Sequence, residues 1–188
     1  HSSMARVGAI RRSLGIRTVF NFLGPVTNPA GARRMLLGVS VEPYMEVLAG
    51  ALARTGCERA LLVHGAEGMD ELSVTGPSLV LEVADGKVSR PQVIDPEACG
   101  LSLHPLSSLA GAGPEENAAI LRRVLAGSPG GPRDAVLLNA GAALYVAGAA
   151  DSIVAGVDLA RASLDSGRAA ATLEHFIAFN GASAEGRP

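Results

Sequence analysis

Three consecutive segments restrict the fold more than anything else in the chain. Met35 to Val41 is an apolar run short enough for a buried strand. Pro43 stands where a first helical residue would, and a helix from there to about Thr55 closes at Gly56. Arg59-Ala-Leu-Leu-Val-His64 is a second buried strand, ending at Gly65. Strand, helix and strand within about 30 residues form a βαβ unit, which favours parallel pairing. Open parallel sheets bind ligands beyond the carboxyl ends of their strands. Two stretches fall at such an end: the loop after Val41, and His64-Gly-Ala-Glu-Gly-Met-Asp-Glu71.

The rest of the chain fits around that unit. Ala5 to Leu14 reads as a basic helix, with Val7, Ile10 and Leu14 on one face. Arg17 to Ala30 holds Gly24, Pro25, Asn28 and Pro29 and reads as a structured loop. Ser78–Val83 and Lys87–Ile94 meet across Ala84-Asp-Gly86, a hairpin signal. Pro96 to Ser108 is irregular. Helices are expected over Glu115–Leu125, Asp134–Ala149, Asp151–Ser166 and Arg168–Phe179. The expected class is α/β: a mixed, mainly parallel sheet flanked by helices, with a helical C-terminal third.

Composition narrows the function. The 188 residues suit one domain, and 48% apolar with 18% charged residues excludes disorder. No uncharged apolar run reaches the length of a membrane span; Ala135 to Ala150 is too short and carries Asn139. A formal charge of −2 gives no electrostatic footprint for nucleic acid. Cys57 and Cys99 form no CxxC motif, which fits a reduced cytoplasmic protein better than a disulfide scaffold. Every basic residue except Lys87 is Arg, so an Arg by type alone says little.

Asp70-Glu71 is the best chemical signal. Adjacent carboxylates follow a glycine-rich turn at the expected end of a strand. Mg²⁺ takes oxygen ligands, keeps several waters and needs only one or two carboxylates plus substrate phosphates. From pattern alone, a solvated acidic turn or a helix start favoured by its dipole is the more ordinary account of the pair. Arg6, Arg11 and Arg12 lie in or near the opening helix, with His1 at its front. An Arg fork fits a carboxylate or phosphate, but an exposed basic face accounts for the same residues. Gly24-Pro-Val-Thr-Asn-Pro29 is either a rigid pocket wall or a turn. His64 could act as a base or simply pack at its strand end, and His104 and His175 have no evident partner. Asn117 reads as a cap or first-turn residue of its helix, and Cys57 as structural.

Together the motifs resemble one family. Arg11-Arg-Ser-Leu-Gly-Ile-Arg-Thr-Val-Phe-Asn-Phe-Leu-Gly-Pro-Val-Thr-Asn-Pro-Ala30 is similar to the signature segment of anthranilate phosphoribosyltransferase. His1-Ser-Ser-Met4 precedes it, and Val63-His-Gly-Ala-Glu-Gly-Met-Asp-Glu-Leu-Ser73 follows at the family's spacing. Gly113 to Gly127 and Asp134-Ala-Val-Leu-Leu-Asn-Ala140 also match. The resemblance runs from His1 to about Phe179 and makes His1 native rather than a tag remnant. It implies the C-terminal α/β domain of a nucleoside phosphorylase/phosphoribosyltransferase-like fold. The implied reaction transfers phosphoribose from phosphoribosyl pyrophosphate to anthranilate, in tryptophan biosynthesis. Asp70 and Glu71 would hold Mg²⁺, and Arg11 would pair with the anthranilate carboxylate. His1, Pro25, Asn21 and Gly24 would line the anthranilate channel.

Against the same pattern, residues 1–188 lack the N-terminal helical domain, the Gly-Thr-Gly-Gly-Asp pyrophosphate loop and the Lys-His-Gly-Asn-Arg segment. The chain is therefore expected to be largely inactive alone. Its expected partners are the missing N-terminal portion and, in a homodimeric parent, a second copy; no nucleic acid or membrane is expected. A non-catalytic fragment or complementing subunit, and a related pyrimidine-nucleoside phosphorylase, are the alternatives.

Overall fold

The computed structural model of the chain describes Ser13, Asn28 and residues 30–185. Apart from Ser13, the helix expected over Ala5–Leu14 lies outside the described residues. Asn28 belongs to the proline-rich loop and closes a turn. Its side-chain oxygen accepts from Ala30 N at 2.9 Å and its carbonyl from Gly31 N at 3.0 Å.

The βαβ unit is present. Strand β1 is Arg34–Gly38, a short turn of 3₁₀ helix covers Glu42–Tyr44, helix α1 is Met45–Arg54 and strand β2 is Arg59–His64. β1 and β2 are parallel, with Leu36 opposite Leu61 and Gly38 opposite Val63. The first strand ends three residues before Val41. Val39 N still donates to Val63 O at 2.9 Å, and the chain then bends into the turn that contains Pro43.

Strand β3 (Ser78–Ala84) lies antiparallel to β2 and turns back through Asp85 and Gly86 into β4 (Lys87–Val88). Asp85 (φ 51°) and Gly86 (φ 72°) both take the left-handed conformation that a tight two-residue hairpin needs. Val83 faces Val88, but beyond Pro91 strand β5 (Gln92–Ile94) pairs with Val80 facing Gln92, a one-residue slip. Pro91 has no N–H for the ladder. At the slip, the Ser89 side chain accepts from Glu82 N at 2.9 Å, while Ser89 N donates to Glu82 O at 2.8 Å.

The sheet order is β1-β2-β3-β4, with β5 also on β3. The expected mixed sheet is observed, but it is not mainly parallel over the described strands. Only β1 and β2 pair in parallel there. The reason is local. The connection from β2 to β3 contains no crossover helix, so β3 returns beside β2 in the opposite direction.

Helices α2 (Pro114–Leu125), α3 (Gly131–Ala147), α4 (Ile153–Asp165) and α5 (Arg168–Glu185) complete the described chain. β2 is buried on both faces, as a central strand must be. Ala60 and Leu62 pack with Met45, Leu48 and Leu52 of α1. Leu61 and Val63 pack with Leu137, Leu138 and Val146 of α3 and with Val157 of α4. Cys57 and Cys99 are free and buried, one in each core. Helices α3 and α4 cross at Gly141 and Gly156. A Cβ on Gly141 would come within 2.6 Å of Val157 N, so the backbones meet with no room for a side chain.

One polar cluster ties the sheet to α3. Arg59 Nε donates to Glu82 Oε1 at 2.7 Å, and the guanidinium lies 3.9 Å from the Tyr145 ring centroid. Tyr145 OH donates to Glu82 Oε2 at 3.1 Å. Burial first, then the Glu82 charge, raises the Tyr145 hydroxyl above its ordinary range, so it stays a donor. Glu82→Ala strands both donors in a poorly solvated place. We expect a loss of about 2 kcal/mol, read as a lower denaturant midpoint at unchanged slope. No described helix is long and apolar enough to cross a membrane.

Candidate active site

The carboxyl ends of β1 and β2 lie side by side, and the loop 65–77 folds back over them. Two glycines allow this. A Cβ on Gly38 would overlap the backbone carbonyl of Asp70, and one on Gly65 would collide with the carbonyl of Glu71. The carboxylate pair therefore rests directly on the strand ends, where parallel strands place a ligand. Gly65 N donates to Met69 O at 2.8 Å and closes the turn before the pair.

Asp70 and Glu71 are exposed, while Leu72, Ser73 and Val74 immediately after them are buried. The pair is thus presented outward from a fixed root. Partial desolvation, and next the Asp70 charge, push the Glu71 carboxyl above the usual carboxylate range. A cation between the two would relieve that repulsion. Among the described residues no three His, Cys, Asp or Glu side chains cluster for a metal. Two carboxylates do not make a closed cage. They fit a hard cation that keeps waters and shares its sphere with substrate phosphates.

The loop's internal bonds were not legible in the sequence. Ser73 N donates to Ser78 Oγ at 2.8 Å, Thr75 N to Ser73 Oγ at 2.9 Å, and Thr75 Oγ1 to Glu67 Oε2 at 2.9 Å. Glu67 has φ 61°, an uncommon value for a residue with a Cβ. Spaced Ser and Thr around a glycine turn were the available signal.

His64 sits at the same strand end. Its Nδ1 lies 2.7 Å from Val39 O, which can only accept, so Nδ1 carries the proton and bridges the two strand ends. This is the packed, hydrogen-bonded reading rather than that of a free base. His104 does have a partner: its Nε2 is 2.8 Å from Asp134 Oδ2, at the start of α3. Asn117 lies in the first turn of α2, as expected, and exchanges two hydrogen bonds with the Ala112 backbone. Arg11, His1, Pro25, Asn21 and Gly24 lie outside the described residues.

An outward carboxylate pair on parallel strand ends is the kind of arrangement that suits a hard cation together with a phosphorylated ligand. Comparison with known proteins narrows this reading. The chain belongs to the glycosyl transferase family, a/b domain, whose profile matches residues 1–170. It is 54% identical over 178 residues to the anthranilate phosphoribosyltransferase of Rubrobacter xylanophilus, covering 94% of this chain and 52% of that protein. The enzyme of Phenylobacterium zucineum is 51% identical over 177 residues, with 94% and 52% covered. Among solved structures, anthranilate phosphoribosyltransferase from Thermus thermophilus superposes with a TM-score of 0.86 at 48% identity, covering 95% of this chain and 53% of that one. The Saccharomyces cerevisiae enzyme in complex with PRPP and Mg gives 0.83 at 34%, covering 94% and 51%. The chain spans about half the length of the curated relatives it matches.

Proposed function

We propose that the chain is the C-terminal α/β portion, residues 1–188, of an enzyme that transfers phosphoribose from phosphoribosyl pyrophosphate to the amine of anthranilate, in tryptophan biosynthesis. The observation that carries this reading is the Asp70-Glu71 pair at the ends of β1 and β2. It stands inside a chain that is half identical to anthranilate phosphoribosyltransferases over nearly its whole length. A yeast relative solved with PRPP and Mg supports the same substrate and cation here. The cytoplasm and a homodimeric parent complete the proposal.

In this reading the amine of anthranilate attacks the anomeric carbon of the ribose as pyrophosphate leaves. Mg²⁺, when bound, stabilises the negative charge growing on the leaving group. Asp70 and Glu71 hold the cation where the strand ends direct the phosphates. His64 keeps the two strand ends together through Val39 O and stays out of the proton chemistry. Arg11 takes the anthranilate carboxylate in a bidentate fork, and His1, Asn21, Gly24 and Pro25 line its channel. The pyrophosphate loop and the helical domain come from the N-terminal part of the enzyme, which residues 1–188 lack.

Arg11→Ala in the full-length protein tests the substrate. Loss of a charge-assisted pair worth about 2 kcal/mol raises the anthranilate KM roughly 30-fold and leaves that of phosphoribosyl pyrophosphate nearly unchanged. Steady-state loss of anthranilate fluorescence measures both. An unchanged anthranilate KM would overturn the assignment of Arg11.

A further inference from the structure

Directly after the carboxylate pair comes Leu72, whose backbone is buried between the sheet and α3. A buried backbone needs partners for both its N–H and its C=O. Neither comes from a strand. Both come from one side chain, Asn139, in the middle of α3. Asn139 Oδ1 accepts from Leu72 N at 2.9 Å, and Asn139 Nδ2 donates to Leu72 O at 2.8 Å. The second hydrogen of Nδ2 goes to Ala135 O at 3.0 Å, one turn back on the same helix. Two donors and one acceptor are all engaged, so the amide can point only one way. Among protein side chains only a carboxamide offers donor and acceptor in this strand-like arrangement, and Asn has the shorter reach.

We infer that Asn139 is a positioning residue for the Asp70-Glu71 pair, fixing the carboxylates against the strand ends from behind. The inference rests on the proposed role of that pair as cation ligands. The other hydrogen bonds of the loop lie before Asp70 or after Leu72, so Asn139 holds the residue that directly follows the pair. On one side, Gly38 and Gly65 set the distance of closest approach, and the 2.8 Å bond from Gly65 N to Met69 O closes the turn before Asp70. On the other, the two bonds to Leu72 set the direction in which the chain leaves Glu71. Ser78 Oγ, bonded to Ser73 N, adds a second tie one residue further on. Asn139 touches no substrate. It acts as an outer partner that orients inner ligands, a role whose loss typically costs 10- to 100-fold in metal affinity.

The test uses the full-length protein and Mn²⁺ as probe, titrated by electron paramagnetic resonance with phosphoribosyl pyrophosphate present. Asn139→Ala is expected to raise the Mn²⁺ concentration at half-occupancy about 10-fold. Anthranilate KM should stay within twofold. Asn139→Asp keeps the shape and the acceptor but loses both donors; it is expected to shift half-occupancy in the same direction, and serves if the alanine variant does not fold. Ser152→Ala supplies the comparison, because it removes the cap that accepts from Ala155 N at 3.1 Å, on α4, away from the pair. It should lower Tm without moving Mn²⁺ binding. If the Asn139 variants lose Tm like Ser152→Ala while half-occupancy stays within twofold of the parent, Asn139 is merely structural and the inference is overturned. Asp70→Asn separates the two levels. If it leaves Mn²⁺ binding unchanged, the ligand role of the pair has failed. If it abolishes binding while Asn139→Asp does not disturb it, only the positioning role has failed.

Discussion

In the full-length protein, on the proposed function, Asp70→Asn is expected to lower Mg²⁺-dependent phosphoribosyl transfer by at least about 100-fold, a larger catalytic effect than that of Arg11→Ala. In the proposed reading the pair supplies the carboxylate ligands to the cation at the strand ends. Weakening it removes stabilisation of a leaving group whose charge grows in the transition state. Such stabilisation is worth several kcal/mol, and about 2.7 kcal/mol is already 100-fold. Glu71→Gln should act in the same direction. The measurement is turnover against Mg²⁺ concentration at saturating anthranilate. A variant that keeps parental turnover at low Mg²⁺ would remove Asp70 from the cation site.

Gly38→Ala carries the largest expected effect on the fold. A single methyl here meets the backbone carbonyl of Asp70 and, at 2.6 Å, its carbonyl carbon. Backbone cannot rotate aside as a flexible side chain can. Relief requires lifting the loop 65–77 off β1, which also moves the carboxylates. Overpacking of this kind costs about 1–3 kcal/mol. The upper end corresponds to a Tm drop of roughly 6–12 °C for a domain of this size. Gly50→Ala is the informative contrast. Gly50 lies within α1, and an added Cβ meets nothing within 4 Å. That change should raise stability by up to about 1 kcal/mol through helix propensity alone. Thermal melts of the two variants give opposite signs if close approach, and not glycine content, decides the outcome.

What could be read in the amino-acid order depended on how local each signal was. Pro43 and Gly56 bracket α1, Asp85-Gly86 makes the hairpin, and Arg59–His64 is a strand buried on both faces. Each of these signals lies within a few residues of the structure it specifies. The antiparallel β3 was harder. Its direction follows from a helix missing between β2 and β3, and loop 65–77 announces no path of its own. Least legible were pairings between distant residues. His104 and Asp134 are 30 positions apart, Glu82 and Tyr145 63, and Leu72 and Asn139 67. Asn139 left one trace, a polar residue interrupting the apolar run of α3. Asp70 and Glu71 were visible because the chemistry and the turn that presents them are contiguous. The motif resemblance pointed to the family, and the close approach at Gly38 and Gly65 shows how the pair is seated on the strand ends.

The slipped register beyond Pro91 makes the two borders of the described sheet unlike each other. On the β4–β5 side, the ladder changes phase, a proline removes a donor, and a serine hydroxyl stands in for a backbone carbonyl. A foreign strand laid along that border would find no continuous row of matching groups, which guards it against templated aggregation. On the β1 side the backbone runs straight for Arg34–Gly38 and has one neighbour, β2, among the described strands. Growth of this sheet by further strands is thus directed to one border only. That border ends at Gly38, beneath the Asp70 backbone, so a strand added there would also flank the proposed cation site.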